Sequence, residues 1–213
     1  MFKFRLFGIP VVIEWWFWLT AVLLSGGFYA SNPDAWTRVF VRCLVIFVSV
    51  LIHELGHALV GRRYGARPGI KLHGFGGVTV LPGARFTRVQ SIAVSAAGPI
   101  AGLLLWLVFF AVAQSVSNVP RLAGVALAMG LFVNLVWSLF NLLPIQPLDG
   151  GQILREILGP QRLRLTGLIG GVVAVFVCIW SLRQGYLFAA FFLALFAYYN
   201  FRQLPVEGGV VKG

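Results

Sequence analysis

Long apolar runs separated by short polar loops dominate the chain. Six runs approach the roughly 20 residues that a helix needs to cross a bilayer core: about 9–30, 39–60, 89–114, 122–143, 165–182 and 184–201. The pattern predicts an all-α polytopic membrane protein with about six transmembrane helices. Trp15, Trp16 and Trp18 suit an interfacial belt on the first, with Glu14 out of place near its start. The last two, parted only by Arg183 and its neighbours, predict a tight helical hairpin. Residues 65–88 break the rhythm. Ile70-Lys71-Leu72-His73 and Val78-Thr79-Val80-Leu81 are β-prone, and Gly74-Phe75-Gly76-Gly77 between them favours a turn. This predicts a short membrane-associated β-hairpin after the second helix. Irregular backbone at that depth survives only where protein buries it or water reaches it.

Composition agrees with the pattern. Of 213 residues, 59% are hydrophobic and 11% charged, with mean hydropathy +0.89. A soluble domain coats itself with about 25% charged residues, so a soluble globular protein is excluded, and so is a disordered chain. Two cysteines, Cys43 and Cys178, exclude a disulfide scaffold and read as small buried hydrophobes. The length suits one domain, 1–213, and no insertion of PDZ, CBS or nucleotide-binding size interrupts it. No repeat of fixed period and no inverted repeat is evident.

The net charge of +11 comes from 17 Lys and Arg against 6 Asp and Glu. The cations sit in short loops rather than in an aromatic-basic patch, which argues for a lipid bilayer and against nucleic acid as partner. With the N-terminus inside, Lys3, Arg5, Arg62, Arg63, Arg67, Lys71, Arg85, Arg88, Arg155, Arg162, Arg164, Arg202 and Lys212 fall inside. Only Arg38, Arg42, Arg121 and Arg183 fall outside. The asymmetry predicts a multi-pass protein of a cell membrane, prokaryotic in type, with both termini cytoplasmic. Lys3 and Arg5 before a long apolar run read as a retained first span, not a cleavable signal.

Charged residues inside a span are expensive and mark function. Glu14 and Asp34 lie near the first span and in the first external loop, and Glu156 and Glu207 in cytoplasmic segments. Glu54 and Asp149 lie at membrane depth. Two of the three histidines flank Glu54 in the string His53-Glu54-Leu55-Gly56-His57. On a helix, positions i and i+4 share a face, so His53 and His57 can aim at one Zn2+ ion with Glu54 placed as a proton acceptor. Three ionisable groups within five residues would be a costly way merely to glue helices together. Arg62 and Arg63 end this helix, which puts the pair about 8–14 Å beneath that boundary.

Two histidines leave a ligand missing. Asp149 is the best candidate: Pro144 and Pro147 must break the fourth helix, and Gly150 and Gly151 keep the backbone loose after the carboxylate. An ordinary Asp-Gly turn is the plain alternative, which the upstream histidines disfavour. His73 in the hairpin is a rival, with a surface or hydrogen-bonding role preferred.

Together these residues resemble the site-2 protease family of intramembrane zinc metalloproteases. The resemblance rests on HELGH at 53–57 and on N-x-x-P-x-x-x-x-D-G at Asn141, Pro144, Asp149 and Gly150. The Phe75-Gly76-Gly77 turn and Gly98-Pro99 add to it. It covers roughly residues 35–155, the expected catalytic core. It implies one zinc ion held by His53, His57 and Asp149, with Glu54 as catalytic base. It also implies a transmembrane protein as substrate, cut near the cytoplasmic side as in regulated intramembrane proteolysis. Asn141 matches the family's oxyanion-steadying Asn; an Asn that satisfies backbone freed by Pro144 is an equal reading. Gly76 and Gly77 are expected at the substrate, on a hairpin edge able to pair with an extended peptide. Where members often carry an Asn after Gly-Pro, this chain has Gly102, and Gly98-x-x-x-Gly102 reads as close helix packing. A metal-ion transporter would need polar residues along several spans, and a non-proteolytic scaffold should have lost a ligand or the glutamate. Neither pattern is present.

Overall fold

The computed structural model describes residues 1–202. Glu207 and Lys212, both expected on the cytoplasmic side, lie outside the described residues. Two compact units divide the chain: Met1–Phe86 with Ala96–Leu139, and Thr87–Ser95 with the described residues from Phe140 onward.

The first unit opens with β-structure where a membrane span was expected. Strands β1 (Phe2–Leu6) and β2 (Ile9–Ile13) pair antiparallel around Phe7-Gly8, both at positive φ. The cause is a period-two pattern that begins before the apolar run and continues into it. Phe2, Phe4 and Leu6 stand opposite Ile13, Val11 and Ile9 on one face, and Lys3 and Arg5 point to the other. Only Trp15–Leu24 of the expected span is α-helical (α1), too short to cross a bilayer core. The predicted hairpin forms as β3 (Gly69–His73) and β4 (Gly76–Val80). It is half of a four-stranded sheet, order β1-β2-β3-β4, joined by parallel pairing of β2 with β3.

Helix α2 (Pro33–Arg63) carries this unit. Asn32 caps it by accepting from Ala35 N at 2.8 Å, Pro33 and Asp34 suit its first turn, and Arg62 and Arg63 suit its last. One core joins the inner face of the sheet (Ile9, Val11, Ile13, Ile70, Leu72) to Phe17 of α1 and Val39, Ile46, Val50 and Ala58 of α2. Cys43 is buried in it, as expected.

Helices α3 (Arg88–Ser115) and α4 (Arg121–Asn141) match their predicted ranges. In the second unit, α5 (Asp149–Leu158) precedes α6 (Leu163–Arg183) and α7 (Leu187–Arg202), the expected helical hairpin. Among the described residues, four helices are long and apolar enough to cross a membrane: Pro33–Arg63, Arg88–Ser115, Arg121–Asn141 and Pro160–Arg183. Trp15–Leu24 and Leu187–Arg202 are apolar but shorter, so among the described residues four of the six expected spans meet the length requirement.

Candidate metal centre

His53, Glu54 and His57 lie on the buried face of α2, only 3%, 4% and 7% exposed. The i, i+4 spacing brings the two Nε2 atoms to 3.2 Å, the ring planes 80° apart. Two nitrogens each about 2.0–2.1 Å from a tetrahedral ion would stand about 3.3 Å apart. The separation of the histidine pair is therefore close to the one a shared zinc ion requires.

The helix can host these side chains because its neighbours are small. A Cβ on Gly98 of α3 would overlap the His57 imidazole, and one on Gly56 would strike the carbonyl of Ala97. A Cβ on Gly102 would overlap Ser138 Oγ, so the Gly98-x-x-x-Gly102 face packs closely, as its spacing predicts. One turn before His53, Asn134 Nδ2 donates to Ser49 Oγ at 3.0 Å and to Gly130 O at 2.8 Å, tying α4 to α2. Hydropathy hides this buried contact, since one Asn hardly alters a 20-residue average.

Glu54 meets the hairpin. A Cβ on Gly77 would overlap its carboxyl group, so only glycine lets β4 come this close. Thr79 Oγ1 lies 2.7 Å from Glu54 Oε2 and 2.9 Å from Glu54 O, its one proton shared across both. Gly76, at φ +121°, faces the Trp137 ring, about 3 Å from where a Cβ would sit. Thr79 is the neighbour of Glu54 that motif reading missed; its period-two partnership with Gly77 on β4 was the available signal. His73 stands at the turn, where its Nδ1 accepts from Phe75 N at 3.2 Å. That is the hydrogen-bonding role expected of it.

Asp149 is the first residue of α5, where a helix N-terminus favours negative charge. Pro144 and Pro147 follow the end of α4 at Asn141, as predicted. Gly150 and Gly151, however, do not loosen the chain. Both are helical and buried, and a Cβ on either would strike the backbone of Leu142, Leu143 or Ile145. They are small because the preceding bend is packed onto them. Asn141 is buried at the end of α4. His53 and His57 stand together as candidate metal ligands, and Asp149, at the start of α5, remains the expected third.

Outside the centre, Glu14 joins Lys71 Nζ at 2.7 Å, which explains an acid in so apolar a stretch. The hydrogen bond from Lys71, with its charge, holds the Glu14 carboxyl below its ordinary value against a smaller opposing effect of burial.

Comparison with known proteins decides the family. Residues 41–128 and 122–182 match peptidase family M50. The chain belongs to this family. It is 29% identical over 210 residues to zinc metalloprotease MJ0392 of Methanocaldococcus jannaschii, covering 94% of this chain and 59% of that protein. It is 38% identical over 162 residues to sll0528 of Synechocystis sp., covering 71% of this chain and 42% of that one. The chain thus spans about half the length of these relatives. The solved site-2 protease from Methanocaldococcus jannaschii superposes with TM-score 0.64 at 25% identity, covering 100% of this chain and 99% of that one. The M50 match spans His53, Glu54, His57, Asn141 and Asp149 alike.

Proposed function

We propose that this chain is an intramembrane zinc endopeptidase that cuts transmembrane proteins near the cytoplasmic side. The observation that carries the reading is the buried histidine pair, set at the separation one tetrahedral ion requires, with a carboxylate on the next residue. In this reading His53, His57 and Asp149 hold one zinc ion. When bound, zinc supplies a Lewis acid that acidifies water and polarises a carbonyl.

The remaining work falls to the protein. Glu54 accepts a proton from the attacking water and returns it to the leaving amine. Thr79 and the Gly77 backbone hold the Glu54 carboxylate in one place for that transfer. Asn141 offers a carboxamide to the developing oxyanion.

A substrate helix must unwind first, because its carbonyls are already bonded. The edge of β4 suits an unwound segment. The two-residue turn pairs His73 with Gly76, so alternation along the ladder directs the peptide groups of Gly77 and Thr79 away from β3. A peptide added there would lie beside Glu54, with the glycines giving it close approach. The basic loops support cytoplasmic termini and a site near that surface.

The test is purified protein with a single-span substrate. Cleavage should stop on chelation and resume with zinc. Glu54→Gln should retain zinc yet lose at least about 100-fold in rate, the lower end of general acid–base effects. Proteolysis that persists in Glu54→Gln would remove this residue as base and the reading with it.

A further inference from the structure

The bend that leads into Asp149 is held from an unexpected place. Asn200, in the last turn of α7, is 1% exposed. Its Oδ1 accepts from Gln146 N at 3.2 Å, and its Nδ2 donates to Gln146 O at 2.8 Å and to Phe196 O at 2.7 Å. One side chain thus satisfies both peptide groups of a residue three positions before Asp149, as a paired strand would. The carboxamide is the side chain that can do this, offering a donor and an acceptor side by side.

The surroundings are built to this contact. Gly170 of α6 has no room for a Cβ, which would overlap Asn200 Oδ1 and come 3.0 Å from Pro144 O. Beyond Gln146 the bend tightens by its own bonds: Ile145 N donates to Leu143 O at 2.7 Å and Leu148 N to Ile145 O at 2.8 Å. Ile145 and Leu148 are buried against Ala174, Leu193 and Ala197 of the α6–α7 hairpin. Little freedom is left between the clamp and the first residue of α5. The bond spans 54 residues of sequence, from α7 to the bend.

We propose that Asn200 is a positioning residue that sets the Asp149 carboxylate for zinc, so that α7 fixes the affinity of the metal site. This rests on Asp149 being a ligand, as proposed above. Groups that hydrogen-bond a metal ligand directly alter affinity about 10- to 100-fold, and a clamp on the backbone that carries the ligand is expected to act on that scale.

The test is zinc affinity by chelator competition on the full chain in detergent, for wild type, Asn200→Asp, Asp149→Ala and the double variant. Asn200→Asp keeps the shape and removes the donor. It should weaken zinc about 10- to 100-fold in the wild-type background and have no further effect once Asp149 is alanine. Should a buried carboxyl prevent folding, Asn200→Ser takes its place in the same cycle. Wild-type affinity in the Asn200 variant overturns the proposal, and so does an equal loss in both backgrounds, which would mark a general loosening. If Asp149→Ala itself retains wild-type affinity, the ligand assignment fails instead.

Discussion

At the scale of residues, the chain divides into those that display chemistry and those that make room for it. HELGH advertises itself because its spacing is the geometry: i and i+4 on one helix put two nitrogens 3.2 Å apart. Thr79 and Gly98 carry no such mark. Their meaning lies in what another element brings to them, Glu54 in one case and His57 in the other. Thr79 supplies the prediction at this scale. Removing a hydrogen bond to a charged group costs about 1.5–3 kcal/mol, so Thr79→Val should lower kcat roughly 10- to 100-fold. Zinc content and KM should stay near wild type, because the substitution changes a side chain and leaves the ligands and the backbone groups of the β4 edge in place. Thr79→Ser, which keeps the hydroxyl, should recover most of the loss. Equal rates for the valine and wild-type proteins would show that Glu54 needs no such support.

At the scale of elements, the helices were legible and the first strands were not. A hydropathy average cannot tell an apolar helix from an alternating strand when the alternate positions, Val12 among them, are also apolar. The period-two signal of Phe2, Phe4 and Leu6 against Lys3 and Arg5 lay outside the apolar run, and Phe7-Gly8 lacks the usual Asn-Gly signature of a tight turn. The bend before Asp149 was legible through its prolines, yet its glycines pointed the wrong way: they permit close packing, not looseness. The hairpin was placed correctly, but its partner strands were hidden, so Glu14 looked misplaced rather than paired with Lys71. That pair gives a pH prediction. The folded-state pKa of Glu14 is depressed from 4.5, so its contribution is complete above that value and is lost as pH falls through the lowered one. Thermal unfolding followed from about pH 6 down to about pH 3 should show a component of acid destabilisation that Glu14→Gln lacks. A variant with the wild-type profile would show that the pair adds nothing to the fold.

At the scale of the whole molecule, the proposed ligand set is drawn from separated positions, which would make metal binding and folding one equilibrium. His53 and His57 are fixed by a helix that exists for other reasons, whereas Asp149 follows a bend that must first be formed. The unfolded chain offers no such arrangement, so zinc binds the native state and stabilises it by mass action. At 100 times the dissociation constant the gain is about 2.7 kcal/mol, which for a chain of this size raises Tm by roughly 5–10 °C. The wild-type protein should therefore melt that much higher with zinc than after chelation. Glu54→Gln should show the same difference, since it removes a proton acceptor and no ligand. His57→Ala and Asp149→Ala should each lose most of it. The pattern across the four proteins carries the argument, because a nonspecific effect of zinc on the protein or detergent would raise all of them alike. An unchanged zinc shift in Asp149→Ala would leave the histidine pair as a metal site but deny it the third ligand on which the proposed chemistry depends.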